Sequence, residues 1–244
     1  PYSGAGYVDT TTSDDDLGSE EVPYGYKVEA MYVQGFGKIS DLEVAWNEIA
    51  YCNGPGQFYG HLTADELTLL KFYNNYVHHG GSQLVFGGGD PGSGNEYAFI
   101  KTAYIYNNII AQTNGATRMA YPSGQGWHGG DYYVYNNIFY DCGSSYSFIV
   151  VGPSVYEMKN NIVYSLASSG DYFTYEVAGI TGDAPGTCSG DHNLWYGLGD
   201  GPTWSTTGDL DNTDPAFAGA TPTSLTGYFP TESSPTIGTG TVLS

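Results

Sequence analysis

The sequence predicts an all-β solenoid, a chain of short strands wound on itself in stacked turns. Three observations carry that prediction. An asparagine doublet recurs through the middle of the chain. β-Branched and aromatic residues fill the segments around it, as strands prefer. The composition disfavours helix: 36 of 244 residues are Gly, 24 are Tyr, and only 13% are charged, about half the usual charged share.

The repeat comes first. Five segments align: Lys71-Phe-Tyr-Asn74-Asn75-Tyr-Val, Tyr104-Ile-Tyr-Asn107-Asn108-Ile-Ile, Val134-Tyr135-Asn136-Asn137-Ile-Phe, Met158-Lys-Asn160-Asn161-Ile-Val and Asp191-His192-Asn193-Leu-Trp. A weaker copy is Val44-Ala-Trp-Asn47-Glu48. With the first pair position at residues 47, 74, 107, 136, 160 and 192, the spacing is irregular but stays within the range of about 20–50 residues typical of solenoids. Each repeat has the same order. A β-rich run leads into the doublet, a short apolar run follows (Ile109-Ile110, Ile138-Phe139-Tyr140), then a polar turn, then another apolar strand such as Ser147-Phe-Ile-Val-Val151. That makes three short strands per repeat.

Strands this short bury no apolar face alone. Stacked about 4.8 Å apart, each pairs with its copy in the next turn. Asn tolerates the left-handed backbone of a sharp corner, and its amide can bond to the same Asn one turn along. One local signal competes: Thr63-Ala-Asp-Glu66 before Leu67, Leu69 and Leu70 has the form of a helix capping box. The run ends in Asn74-Asn75, in register with the other strands, so strand is expected. Spacing differences fall in loops, the longest over residues 87–100, 122–130 and 179–190.

Around the repeat, residues 1–26 read as an acidic N-terminal lead or cap, and Val28–Val33 as a first strand. Residues 27–204 read as a coil of about seven turns. Residues 205–244, rich in Thr, Pro and Gly, are expected to wrap the last turn, since an open end is an exposed sheet edge.

At this point the pattern resembles the right-handed parallel β-helix, pectate-lyase-like superfamily. The closing residues Thr213-Asp214-Pro215-Ala216-Phe217, Tyr228 and Ser234-Pro235-Thr236-Ile237-Gly238-Thr239-Gly240 are similar to the end segment of bacterial surface β-helix proteins, with Gly238 where Asp is usual. The resemblance implies a right-handed parallel β-helix with an irregular C-terminal cap. It also implies a secreted or surface setting, among polysaccharide lyases, glycoside hydrolases, tailspikes and adhesins. Fold analogy alone does not choose among these.

Charge narrows the choice. Acidic residues number 26 against 6 Lys and Arg, a formal charge of −20. That excludes nucleic-acid binding by phosphate neutralisation and argues against electrostatic docking on anionic lipid. No apolar run approaches the ~18 residues of a membrane span, so no membrane insertion is expected. A start at Pro1 without Met reads as a mature or excised piece. Abundant Gly, Ser, Thr and Tyr, scarce Lys and a large excess of acid point to an extracellular or cell-surface location. Cys52, Cys142 and Cys188 lack metal or redox spacing. They read as buried small hydrophobes, with a Cys142–Cys188 bridge left open.

For chemistry, lyases of the superfamily this chain resembles use a Lys or Arg base, for which the chain offers Lys101 and Arg118. Strand alternation puts Arg118 and Glu176 on an outer face, with His61 on an equivalent strand. Trp127 and His128 lie in a Gly-rich loop suited to stacking on a sugar, with Tyr121 and Tyr175 nearby. His192 occupies a doublet position and reads as structural. Adjacent His78 and His79 are expected to face opposite ways on a strand. Asn212-Thr213-Asp214 superficially matches a polygalacturonase motif but lacks its partners. Calcium is the expected ion, at Asp14, Asp15 and Asp16 or at Asp209, Asp211 and Asp214, because hard cations gather several oxygen ligands. The expected function is a structural or adhesive surface solenoid, a filament or stalk subunit whose partners are carbohydrate or copies of itself. A polysaccharide lyase with an Arg or Lys base and calcium is the alternative.

Overall fold

The computed structural model describes residues 7–8, 28–29, 32–35, 38–52, 55–60, 66–81, 84–86, 99–115, 117–119, 129–143, 146–150, 153–167, 169–177, 180–181, 187–219, 222 and 224–243. Three sheets of seven strands each make up nearly all of it. The protein is an all-β parallel solenoid; among the described residues its one helical segment is a short 3-10 turn at Leu225–Tyr228.

The chain visits the sheets in rotation. The first holds Lys38–Ala45, Glu66–Tyr73, Phe99–Tyr106, Gly129–Tyr135, Pro153–Lys159, Thr187–Asp191 and Ser205–Thr207. The second holds Glu48–Ala50, Tyr76–His78, Ile109–Thr113, Ile138–Cys142, Ile162–Tyr164, Leu194–Tyr196 and Leu210–Asp211. The third holds Tyr32–Gly35, Gly56–Gly60, Leu84–Phe86, Thr117–Met119, Tyr146–Val150, Asp171–Val177 and Ile180–Thr181. Glu66–Tyr73 is a strand, so the capping box nucleates no helix there.

Two expectations need correction. The coil does not make the seven full turns expected. Ile180–Thr181 pairs antiparallel with Asp171–Val177, so among the described residues the third sheet ends in a hairpin and carries no seventh parallel strand. Val28–Glu29 is also outside the coil, paired antiparallel with Tyr7–Val8. The first coil strand is Tyr32–Gly35, which pairs with Gly56–Gly60.

Inward residues alternate along each strand, as a pleated sheet with one face on the core requires. Leu70 and Phe72, Ala103 and Ile105, Tyr132 and Val134, and Tyr156 and Met158 fill the first sheet's inner face. Phe58, Phe86 and Phe148 fill the third. Rings stack along the axis and meet edge-on across it: Phe58 on Phe86 at 5.4 Å, Phe72 against Phe86 at 5.1 Å. Such aromatic pairs add about 0.5–1.5 kcal/mol each beyond the area they bury.

The doublets form one column between the first and second sheets. Their first residues turn the chain through the left-handed region: Asn74, Asn107, Asn136 and Asn160 have φ of 53°, 56°, 54° and 57°. Their second residues point inward and are buried. Each Asn side chain accepts at Oδ1 and donates at Nδ2. Asn75 donates from its backbone N and from Nδ2 to Asn108 Oδ1, at 3.0 and 3.1 Å. Asn108 does the same to Asn137, Asn137 to Asn161, and Asn161 to Asn193. The ladder therefore has a direction, with donors aimed toward the C-terminal end.

The first copy is shifted by one residue from its sequence alignment. Asn47 is a second-position residue, donating to Asn75 Oδ1 at 3.1 and 3.0 Å. Trp46 takes the corner at φ 62°. A bulky side chain costs about 1–2 kcal/mol in that conformation, and Trp46 is 77% exposed, so packing returns little. Trp46→Asn is expected to stabilise the protein by about 1 kcal/mol, read as a rightward shift of the urea midpoint.

Beyond Asp211 the chain turns back along the outside of the second sheet. Phe217 meets the rings of Tyr140 and Tyr164, both at 5.9 Å. Tyr228 is fully buried against Tyr140, at 5.3 Å, and Tyr76, at 5.9 Å. Asn160 holds the far end, donating to the Thr241 carbonyl at 2.9 Å and accepting its N–H at 2.7 Å. This segment is thus a strap along the side of the coil, not a wrap over its last turn.

Candidate functional site

The outer face of the first sheet concentrates the exposed chemistry. Register puts Glu43, Lys71, Tyr104, Tyr133 and Glu157 in one outward row, and Tyr73, Tyr106, Tyr135 and Lys159 in the next. Parallel pairing superimposes like positions on successive strands, so the rings stack: Tyr73 on Tyr106 at 4.8 Å, Tyr104 on Tyr133 at 5.0 Å. The Tyr73 hydroxyl donates to Glu43 and the Tyr135 hydroxyl to Glu157. Lys159 pairs with Glu157 at 3.2 Å and with Asp191 at 3.8 Å. The result is a strip of ring edges, hydroxyls and carboxylates along the axis. Its visible signal was Tyr at one and three residues before the doublets at Asn107 and Asn136, and at one residue before that at Asn74.

Four phenols on this face, Tyr73, Tyr106, Tyr133 and Tyr135, ionise late. Burial, then the Glu157 carboxylate that accepts its hydrogen bond, push Tyr135 up strongly. The bond to Glu43, then burial, raises Tyr73. Elsewhere burial raises Tyr172 and Cys142, each to about 12. An unfolded phenol releases its proton near pH ~10 and an unfolded thiol near ~8.5, while the folded groups hold theirs longer. Stability is therefore full below those values and falls as pH rises toward 12. The last part of the tyrosinate absorbance is expected to appear together with loss of β-sheet circular dichroism. Complete tyrosinate formation near pH ~10 with the sheet signal intact would contradict this.

The lyase candidates are spread over two sheets. Lys101 is exposed on the first. Arg118 is on the third, in register with Ile149 and through it with Thr174. Glu176 lies two positions past Thr174, with the strand Tyr146–Val150 between the two strands concerned. Tyr175 is in register with Val150, a core residue. His61, Tyr121, Trp127 and His128 lie outside the described residues, as do Asp14, Asp15 and Asp16.

The second acidic group serves the backbone. Gly208, at φ 70°, takes the corner after Asn193's, and Asp209 follows it as the ladder's last member. Asp209 Oδ1 accepts the Asn193 N–H at 2.9 Å, and Oδ2 accepts Trp195 Nε1–H and the Ser205 hydroxyl at 2.9 and 2.8 Å. A carboxylate suits this end because it has no donor left over for a further turn. Asp211 accepts the Gly201 N–H at 2.7 Å and Asp214 the Ala216 N–H at 2.8 Å. Among the described residues no three His, Cys, Asp or Glu side chains converge as a metal site.

Cys142 is a buried thiol donating to the Ile110 carbonyl at 3.3 Å, so it forms no bridge to Cys188. Among the described residues no helix is long and apolar enough to cross a membrane. No family profile, curated protein or solved structure matches this chain.

Proposed function

We propose that the chain is a secreted or cell-surface structural or adhesive solenoid that contacts carbohydrate through the outer face of its first sheet. On this reading it is a right-handed member of the pectate-lyase-like group and serves as a stalk or filament subunit. The observation that carries the reading is the strip of stacked Tyr73, Tyr106, Tyr104 and Tyr133 flanked by Glu43 and Glu157. Ring faces and edges pack on the apolar patches of a sugar, while hydroxyls and carboxylates bond to its OH groups. At a formal charge of −20, a polyuronate is repelled unless calcium bridges the two, so a neutral glycan is the better partner. Calcium, on this reading, belongs to the Asp14–Asp16 cluster.

The test is a panel of neutral and uronate polysaccharides, scored for binding and for turnover with and without calcium. Binding to a neutral glycan, weakened at least about tenfold in a Tyr104→Ala, Tyr133→Ala double variant, supports the proposal. Turnover lost in Arg118→Ala or Lys101→Ala would replace it with the lyase reading. No binding across the panel would overturn it.

A further inference from the structure

The strongest unassigned cluster lies at the corner between the second and third sheets. Its corner residues share a left-handed backbone: Tyr51, His79, Gln112 and Asp141 have φ of 55°, 53°, 53° and 51°. On a plain strand, side chains of adjacent residues diverge, and His78 and His79 were expected to do so. The corner at His79 reverses that. It swings its ring back until Nδ1 lies 2.7 Å from Nδ1 of His78.

We propose that His78 and His79 bind a late first-row divalent metal ion of the zinc, nickel or copper class through their Nδ1 atoms. Neutral imidazole is the common protein ligand for these ions. With metal–nitrogen bonds of about 2.0–2.1 Å, two nitrogens on one ion stand roughly 3 Å apart. The pair therefore needs only a small opening.

Three further features match a ligand pair. Glu48 Oε1 lies 3.2 Å from His78 Nε2. A metal-bound imidazole usually gives its other N–H to such a carboxylate, which fixes the tautomer and raises ligand basicity. With Nε2–H donated to Glu48, the lone pair of His78 Nδ1 faces His79. Both rings are held in place: Tyr76 stacks on His78 at 4.1 Å and Tyr51 on His79 at 4.8 Å. Finally, Glu48 is 70% exposed on a protein of charge −20, so the local field favours cations near the pair. In the metal-free pair, His79 Nδ1–H donates to His78. Binding moves that proton to His79 Nε2 and leaves the net charge of the pair unchanged. Water completes the coordination shell. The site is separate from the first-sheet strip, and the proposal does not depend on the carbohydrate reading.

The experiment is a calorimetric titration of the full chain with zinc chloride and with nickel chloride, in the presence and absence of excess calcium. One saturable site is expected that calcium does not displace. Affinity should fall at least about tenfold in His79→Ala, and ten- to a hundredfold in Glu48→Gln, the range for loss of a carboxylate partner. No saturable binding, unchanged affinity in His79→Ala, or displacement by calcium would overturn the proposal. Should His79→Ala fail to fold by circular dichroism, imidazole NMR signals of the unsubstituted protein decide instead. Zinc must perturb the His78 and His79 rings at the lowest concentrations, and perturbation of other histidines first would contradict the assignment.

Discussion

Asn108→Asp is expected to be among the most damaging single substitutions in the chain, costing at least about 4 kcal/mol at neutral pH. Asn108 Nδ2 donates to the Phe72 carbonyl and to Asn137 Oδ1, both at 2.9 Å. A carboxylate oxygen in its place would face two acceptors, within a site where Asn108 is almost wholly buried. Each buried polar group left unsatisfied costs about 1–3 kcal/mol, and an unpaired buried charge adds to that. The aspartate is expected to hold its proton in the fold above the ordinary pKa of about 3.9. The variant should therefore be least impaired below that pH and lose stability as pH rises through it. Asn107→Asp supplies the control. Its side chain is exposed and Asp tolerates the same backbone, so a change within about 0.5 kcal/mol is expected. Urea unfolding at pH 3.5 and pH 7 reads all of these values.

Tyr228→Ala is expected to cost about 3–5 kcal/mol, the usual range for deleting a buried aromatic ring. The loss is local. Tyr228 plugs the outer side of the second sheet, against Tyr76 and Tyr140, while the inner core of Val77, Ile110 and Phe139 does not touch it. A strap held by Tyr228, Phe217 and the Asn160 clamp opens without unwinding the coil, as a unit of lower stability than the whole. Hydrogen exchange should therefore quicken across residues 216–241 and stay slow in Ile105, Val134 and Phe139. Equal loss of protection in both regions would show that the strap is part of one cooperative core.

The doublets made the coil legible because Asn supplies two needs at once, a left-handed corner and an amide that bonds to its own copy. Where another residue meets one need alone, the signal fails. Trp46 takes the corner that Asn takes in the next four turns, which moved Asn47 one place out of register. The second corner column is Tyr51, His79, Gln112 and Asp141. It shares a conformation but no residue type, so no repeat marks it and the meeting of the two histidines was hidden. The strap left a trace that alternation rules would have found. Ile109, Ile110 and Ala111 are apolar on both faces, as are Ile138, Phe139 and Tyr140, and such a strand needs cover outside as well as in. Asp209 read as a cation ligand because acidity alone does not tell a metal site from the acceptor that ends a hydrogen-bond ladder.

The central claim is that the buried asparagines form one polar column along the axis of the coil. Corner amides ordinarily exchange quickly with solvent. Here the backbone N–H groups of Asn75, Asn108, Asn137 and Asn161 are each bonded to the next Asn Oδ1 at 2.9–3.0 Å. Hydrogen exchange followed by NMR is therefore predicted to find these four amides protected together, at the level of the innermost strand residues. Exchange of any interior member at the rate of an exposed turn would contradict the column and the solenoid built on it.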